Sequence, residues 1–275
     1  MTDWIKRLFF ISILFTIFSL FFLSFYGLET KYFNTTIQKK TKEFNQNINL
    51  KFKNTKILLD LKKLEFKVKI QDPIINFDKK NEIVLSKLDL NISISSLFKR
   101  RFALRHGEIG LIKTDIRKLI KLTNQVKPSP FSFVAKKIIS EGQLEVEASI
   151  NFDINGKVKD DYKIVGSLIN FEARLLKKIN IAKTDLKFEL IKNNYHIHLI
   201  KGSINEINLT NGKFEISKKN ENFNIKGNLA SKSNIKDLQS MIYLLNFKTN
   251  EDLVKGSEIS FDIKTSFSFQ LNKYA

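Results

Sequence analysis

The chain has 275 residues, with 47 Lys and Arg against 28 Asp and Glu and a formal net charge of +19. Its length allows one large or two small domains, and a hydrophobic content of 43% is typical of a globular chain rather than a disordered one. The absence of cysteine excludes a disulfide scaffold, a zinc ribbon, a cysteine nucleophile and an iron–sulfur site.

The positive charge comes mainly from Lys, in a chain that is also rich in Asn, Ile and Phe. All four residues have codons rich in A and T, so an AT-rich genome explains much of this charge; a surface that meets phosphate groups is the alternative. Nucleic-acid binding would in addition require Arg-rich clusters and a recognition motif. We therefore expect no nucleic-acid partner.

The first predicted element is a transmembrane helix over residues 8–28, which read LFFISILFTIFSLFFLSFYGL and carry no charge. At 1.5 Å per residue this run spans about 31 Å, which matches a hydrocarbon core of about 30 Å. Bulky Phe25 and Tyr26 stand where a signal-peptidase site needs small residues, so we expect an uncleaved anchor. Basic residues lie on both sides of the span. Because Lys6 and Arg7 directly precede it, we favour a cytoplasmic tail over residues 1–7 and an extracytoplasmic position for the rest.

A connector over residues 29–46 follows, and its polar stretch Thr35–Gln46 could form a short helix continuing from the membrane. From residue 47 to 275 the hydrophobic pattern changes to a period of two, as in Leu64-Glu65-Phe66-Lys67-Val68-Lys69-Ile70. Such alternation predicts strands with one apolar and one charged face. It recurs at Ile48/Leu50/Phe52, Leu88/Leu90/Ile92/Ile94, Leu144/Val146/Ala148/Ile150/Phe152, Ile164/Gly166/Leu168, Leu186/Phe188/Leu190, Tyr195/Ile197/Leu199, Phe223/Ile225/Gly227/Leu229 and Ile259/Phe261/Ile263.

Turn signals separate these runs, among them Asp72-Pro73 and Lys192-Asn193-Asn194. Asn155-Gly156 and Asn211-Gly212 predict tight hairpin turns. The body is therefore predicted to be a mainly antiparallel, meandering sheet.

Two segments have helical spacing instead. Asp115–Leu122 begins with an Asp cap, and Ser233–Leu245 places an apolar stripe on one side of a helix. Both are predicted to pack against a sheet face; a role as an amphipathic helix on a membrane surface is the alternative.

A short basic N-terminus, one anchor helix and a long series of Lys- and Asn-rich amphipathic strands with glycine-marked hairpins resemble the AsmA-like superfamily of bacterial envelope proteins, with its TamB-like and YhdP-like branches. The similarity covers most of the chain, including Leu50–Leu111 and the strand series that starts at Ser140-Glu141-Gly142-Gln143-Leu144. The resemblance implies an elongated sheet that curls into an open half-pipe with an apolar groove. It also implies a role in moving phospholipid between membranes. Known members are much longer, so this chain resembles a short member or the N-terminal part of a longer one.

The groove residues expected from this reading are Leu64, Phe66, Val68, Ile70, Leu88, Leu90, Ile92, Ile94, Leu144, Val146, Ile150, Leu186, Phe188 and Leu190. The sharpest basic cluster, Lys99-Arg100-Arg101 between Phe98 and Phe102, is a candidate contact for phospholipid head groups, with a solvated loop as the alternative.

Patterns that carry catalysis are weak. His196 and His198 would share a strand face, but His106 is the only other histidine and a metal site needs a third ligand. Glu141, Glu145 and Glu147 alternate on a face that is predicted to be solvated. Because no nucleotide-binding or hydrolase motif is present either, we expect no cofactor, no metal and no enzymatic activity.

The sequence therefore predicts a mainly β protein with an N-terminal transmembrane helix, one or two short amphipathic helices, and a periplasmic domain over residues 47–275. Its expected role is to bind lipid acyl chains at the inner membrane and to assist phospholipid transport or outer-membrane biogenesis. The alternative is an envelope assembly factor, such as a lipopolysaccharide-export bridge resembling LptC, in which a closed β-sandwich engages a protein partner. A continuous apolar sheet face suits either, because lipid or a second layer could cover it.

Overall fold

The computed structural model describes residues 2–77, 81–175, 179–205, 207–219, 222–234 and 260–272. Within these residues the protein is mainly β, with fourteen strands in an antiparallel sheet and five helices. This confirms the predicted mainly β class. The chain divides into two compact units, which we describe separately. Unit 1 comprises Met1–Gly110 and Ala148–Tyr162, and unit 2 comprises Leu111–Glu147 and Lys163–Ala275.

The N-terminal helix α1 covers Thr2–Phe25 and is long and apolar enough to cross a membrane. It ends before the predicted limit at Leu28, because Gly27 takes a φ of 71° and Leu28 already begins strand β1 (Leu28–Thr30). A left-handed residue is a common helix terminator, and glycine adopts it without a steric penalty. A Cβ at Gly27 would lie 2.7 Å from the carbonyl oxygen of Ile57, so the chain leaves the helix in close contact with the sheet.

Helix α2 (Asn34–Phe44) confirms the short helix in the connector, but β1 separates it from α1. The Asn34 side chain attaches α2 to the sheet. Its Nδ2 donates to the Lys53 carbonyl, and its Oδ1 accepts from the Thr55 hydroxyl, both at 3.2 Å. Thr55 is fully buried, so this polar pair is one of the fixed points of unit 1.

Five further strands build unit 1: β2 (Ile48–Lys51), β3 (Thr55–Asp60), β4 (Glu65–Ile70), β5 (Ile74–Phe77) and β6 (Asn81–Ser93). They form two ladders, β1–β3–β4–β6 and β2–β5–β6, which share the long strand β6. The apolar residues that these strands bury are Ile48, Leu50, Leu59, Val68, Ile70, Phe77, Ile83 and Leu85. Phe77 and Ile83 are only 2% and 1% exposed, so unit 1 has a closed core of its own.

Two of the predicted groove residues lie outside the strands. Leu64 occupies the turn before β4 with a φ of 52°. Ile94 begins helix α3 (Ile94–Phe98), because the Ser93 hydroxyl caps the helix by accepting from the Ser96 backbone N–H at 3.3 Å. Local capping therefore stops the alternating run of β6 one residue before its predicted end.

Strands β7 (Leu104–Asp115) and β8 (Ile139–Asn151) each contribute residues to both units. Between them, helix α4 (Ile116–Val126) confirms the predicted helix, and the Asp115 carboxylate caps it by accepting from the Arg117 N–H at 2.8 Å. Helix α5 (Pro130–Ile138), which we had not predicted, begins at a proline and packs against α4. A serine followed by proline at the first helical position is a known start signal.

Unit 2 is a meander of six strands, each paired with the next: β9 (Lys163–Leu175), β10 (Ile179–Ile191), β11 (Asn194–Ile204), β12 (Ile207–Lys219), β13 (Asn222–Asn234) and β14 (Ser260–Asn272). The predicted turn at Lys192 joins β10 to β11. Of the predicted segment Ser233–Leu245, the first two residues belong to β13, and the others lie outside the described residues.

One of the two predicted Asn-Gly turns is wrong. Asn155-Gly156 does form a hairpin, closed by a bridge between Phe152 and Val158. Asn211 instead lies inside β12 with a φ of 49°, where the pairing with β13 shifts register. An Asn in the left-handed region serves a β-bulge as well as a turn, and here β12 stays paired with β11 on both sides of Asn211.

Candidate functional site

Unit 2 carries an apolar surface that crosses its strands. Backbone pairing places residues in three cross-strand rows: Gly166, Phe188, Ile197, Phe214, Gly227 and Phe267; Ile164, Leu190, Tyr195, Ile216 and Ile225; and Leu168, Leu186, Leu199 and Gly212. Directly paired residues of antiparallel strands project from the same side, so the rows form one surface, which we call the apolar sheet face.

Aromatic rings close the gaps that glycines leave in this face. A Cβ at Gly166 would lie 2.6 Å from Cζ of Phe188 and 2.9 Å from Cγ2 of Val146, so both side chains lean over the glycine. Phe214 and Phe267 continue the row with ring centroids 6.0 Å apart. Covering a strand glycine with a cross-strand aromatic ring is a stabilising arrangement. Val146 and Phe188, predicted as groove residues, therefore both lie against Gly166 of the apolar sheet face.

The apolar sheet face is buried at one end and open along the rest. Leu199, Ile207 and Leu209 form a buried cluster with exposures of 6–9%, whereas Phe188 and Ile197 are half-buried and Tyr195 is 39% exposed. In the described part of the chain, β10 to β13 contact mainly their neighbouring strands. Large side chains that remain half-exposed in a continuous row are typical of a surface that receives an apolar ligand or partner.

The opposite face of the same strands is charged. Lys163 pairs with Glu189 at 2.5 Å, and this contact lowers the pKa of the Glu189 carboxyl. His196 lies across from Glu215, with 3.9 Å between Nδ1 and Oε1. Within the described ranges no group of three His, Cys, Asp or Glu side chains could hold a metal ion. This face therefore keeps the sheet hydrated on one side.

The predicted groove residues divide between the two units. Unit 2 holds Leu144, Val146, Leu186, Phe188 and Leu190, all half-buried. Unit 1 holds Leu64, Phe66, Val68, Ile70, Leu88, Leu90, Ile92, Ile94 and Ile150. Within unit 1, Val68 and Ile70 belong to the closed core, while Leu64 is 57% exposed in its turn.

The predicted head-group cluster lies in an exposed loop of unit 1. Lys99, Arg100 and Arg101 follow helix α3, and all three side chains are exposed. Phe98, directly before them, is 85% exposed. The three basic residues thus directly follow Phe98, an apolar side chain that is exposed rather than buried in the core.

Unit 1 also carries a polar cleft of about 490 Å³ that the sequence pattern did not predict. It lies on the charged side of β4 and β6, and its polar lining includes Glu65, Lys67, Asn91, Arg105, His106, Glu108 and Asn151. Asp89, next to the cleft, is only 5% exposed and lies 3.5 Å from the Lys67 ammonium and 4.0 Å from that of Lys87. The alternation of β4 predicted a polar face. It could not predict that polar residues of other strands would line a cleft beside that face.

Glu108 is the centre of this cleft. Lys87 contacts one carboxylate oxygen, and His106 Nε2 lies 3.1 Å from the other. These contacts, that of Lys87 first, lower the pKa of Glu108 from 4.5 to about 2. On its other nitrogen, Nδ1, His106 meets Asn151 Oδ1 at 2.7 Å. Opposite charges thus neutralise each other, which makes the cleft a structural network rather than a site poised for proton transfer.

Comparison of the chain with protein-family profiles, with curated proteins and with solved structures gives no significant match.

Proposed function

We propose that this chain is a single-pass, inner-membrane-anchored envelope protein that binds lipid acyl chains on the apolar sheet face and thereby assists phospholipid transport or outer-membrane biogenesis. In this proposal α1 is the anchor, its N-terminus is cytoplasmic, and both units lie in the periplasm. The AsmA-like superfamily is the proposed relationship. It is supported by the order of one apolar helix followed by a long antiparallel meander.

The observation that carries the proposal is the half-open row of apolar side chains across β9–β14. Its central members, Phe188, Ile197 and Phe214, come from three successive strands and are all half-buried. Burying apolar surface contributes about 25 cal/mol per Å², so acyl chains laid along such rows would gain several kcal/mol. Binding acyl chains on an apolar face requires no catalytic group.

The proposed mechanism is passive shielding. Acyl chains lie on the apolar sheet face, and head groups stay in water or near lysines. The bulges at Asn170, Lys183 and Asn211 support a curled sheet, because each adds local twist to the strand that carries it. A half-pipe open on its apolar side is the shape we propose for this part of the chain.

A matched pair of substitutions tests the proposal. Ile197→Lys puts an ammonium in the central row, and His198→Lys puts the same group on the charged face of the same strand. We expect wild-type protein and H198K to retain phospholipid through detergent extraction, and I197K to retain at least about tenfold less, because an ammonium is costly to desolvate. Mass spectrometry of bound lipid measures this, and circular dichroism checks the fold.

Wild-type protein that carries no phospholipid and exchanges none with vesicles would rule out acyl-chain binding. Equal retention by I197K and H198K would place the lipid elsewhere.

A second candidate, an assembly factor that engages a protein partner in the manner of an LptC-like bridge, is favoured by the closed core of unit 1. A photo-crosslinking residue at position 197 separates the two functions. Crosslinks to lipid support transport, and crosslinks to a single envelope protein support the bridge.

A further inference from the structure

Strand register shows which end of unit 1 faces the anchor helix. β1 leads out of α1, and its residues Leu28 and Thr30 pair with Ile57 and Thr55 of β3. Since the pairing is antiparallel, β3 runs back toward the helix, and its last residue, Asp60, extends beyond the level of Leu28.

Burial along α1 agrees with this direction. Most of the helix is exposed, but Ser19, Leu23 and Ser24 are half-buried on one side of its last two turns. Helix α1 contacts β3, and Gly27 abuts Ile57 and Leu58. The C-terminal end of β3 therefore lies alongside the end of the helix.

Three loops share this end of unit 1. The turn 61–64 joins β3 to β4, and Glu65 at the start of β4 pairs with Ser93 at the end of β6, where α3 and the loop to residue 103 begin. The hairpin 152–158 joins them, because the Phe152 N–H donates to the Arg105 carbonyl at 2.8 Å and the Phe102 and Phe152 rings lie 6.0 Å apart. We call segments 61–64, 94–102 and 152–158 the anchor-side loops.

The anchor-side loops expose apolar side chains that the core does not use. Phe98 is 85% exposed, and the others range from 40% to 57%. These residues are Leu61, Leu64, Leu97, Phe98, Phe102, Ile154 and Val158. Large apolar groups at several loop tips on one end of a unit are unusual for a surface that faces only water.

Basic residues surround these apolar tips, and the nearby acids Asp60, Glu65 and Asp153 each accept hydrogen bonds within unit 1. The loops carry Lys62, Lys63, Lys99, Arg100, Arg101 and Lys157. Asp60 Oδ1 accepts from the backbone N–H groups of Lys62 and Lys63, both at 3.0 Å.

Asp153 closes its own hairpin by accepting from the N–H groups of Asn155 and Lys157 at 2.8 and 2.9 Å. Beyond the hairpin lie Lys159, Asp160 and Asp161. With these and Glu65 included, seven basic residues stand against five carboxylates, so the formal charge of this end stays positive.

We propose that the anchor-side loops dock on the surface of the membrane that α1 spans, with the apolar tips at the head-group boundary and the basic residues on anionic phospholipid. Three features select a bilayer as the occupant: the loops lie on the anchor side, their apolar residues sit at separate tips rather than in one pocket, and basic groups surround them. The inference rests on the anchoring part of the proposed function and not on acyl-chain binding by unit 2.

The absence of native cysteine allows a direct test on the full chain. Phe98→Cys and Ile154→Cys place a single environment-sensitive fluorophore on two anchor-side loops. Lys53→Cys places it next to Thr55, at the opposite end of β3, as the matched control. Each labelled protein is reconstituted in phosphatidylcholine vesicles with and without phosphatidylglycerol, which contain nitroxide-labelled lipid as quencher.

We expect quenching at positions 98 and 154 to exceed that at 53 by about fivefold, and to rise with phosphatidylglycerol. Replacing Lys99, Arg100 and Arg101 by Ser should remove most of the dependence on anionic lipid. Quenching at 98 and 154 no greater than at 53 would overturn the docking proposal alone. Protein that fails to float with the vesicles would overturn the anchor as well. Loss of acyl-chain binding in I197K leaves this result unaffected, because position 197 lies in unit 2.

Discussion

The environment of a side chain in this protein depends more on its neighbours across strands than on its neighbours in sequence. Glu108 is the clearest case. It follows His106 by two positions, but Lys87 from another strand provides its strongest contact. A charged residue on an alternating strand looks like a solvated one until the adjacent strand is known.

The pKa of Glu108, lowered to about 2, makes a prediction for acid stability. The carboxylate stabilises the fold at every pH above its unfolded-state pKa of 4.5, and this contribution is lost as the pH falls toward 2. We expect Glu108→Gln to cost about 2 kcal/mol at neutral pH and to flatten the acid limb of the unfolding curve. Urea denaturation followed by circular dichroism from pH 7 to about pH 2.5 measures both effects. If the unfolding free energy of E108Q falls with pH as steeply as that of the wild type, Glu108 is not the group whose depressed pKa stabilises the fold.

Among the elements, strands with strict alternation were predictable and bulges were not. β4, β8 and β10 follow a period of two that only a half-buried strand explains. Asn211-Gly212 has the composition of a hairpin turn, yet it became a bulge inside β12. Local sequence permits both outcomes, and the pairing of long strands on either side decides between them.

A second bulge shows how such an irregularity is held. Asn170 takes a φ of 49°, and its N–H donates to Asp185 Oδ1 at 2.8 Å while Lys201 lies 3.2 Å from the same carboxylate. The Asn170 N–H, and then Lys201, lower the pKa of Asp185.

We expect Asp185→Ala to destabilise the protein by about 1 kcal/mol, because the bulge N–H loses its acceptor. The control is Asp161→Ala, at an exposed position, which should change the free energy of unfolding by less than about 0.5 kcal/mol. Urea unfolding at pH 7 measures the free energy of unfolding of both variants. Because the folded-state pKa of Asp185 is depressed, the difference should shrink as the pH falls through that pKa. Equal effects of D185A and D161A would show that the bulge does not depend on this carboxylate.

For the whole molecule, orientation is the feature that the charge pattern left undecided, since basic residues lie on both sides of the uncharged apolar run 8–28. The proposed function requires both units outside the cytoplasm. We expect a single cysteine at Asn193, in the exposed β10–β11 turn, to react with a membrane-impermeant maleimide on intact spheroplasts. A cysteine at Lys6 should react only after permeabilisation. The reverse pattern would contradict the proposed periplasmic location.

The length of one uncharged apolar run determined the apolar helix, and hydrophobic periodicity determined the mainly β class and the two faces of each long strand. These features depend on the spacing of side chains along one segment, which the sequence states directly. Periodicity could not say what covers an apolar face. Val68 and Phe188 have the same alternating surroundings, yet Val68 is buried in the closed core of unit 1 and Phe188 is half-exposed on the apolar sheet face.

Only the tertiary structure decided that difference. In unit 1 the long strand β6 belongs to two ladders, and apolar side chains of both ladders, such as Val68 and Phe77, are buried. In unit 2 each strand pairs with the next in a single meander, and the described residues leave the apolar side half-open. The anchor-side loops are likewise a product of strand register, which brings segments distant in sequence to one end of the sheet. Pairing between distant segments is not encoded in local spacing, so the apolar sheet face and the anchor-side loops came into view only with the fold.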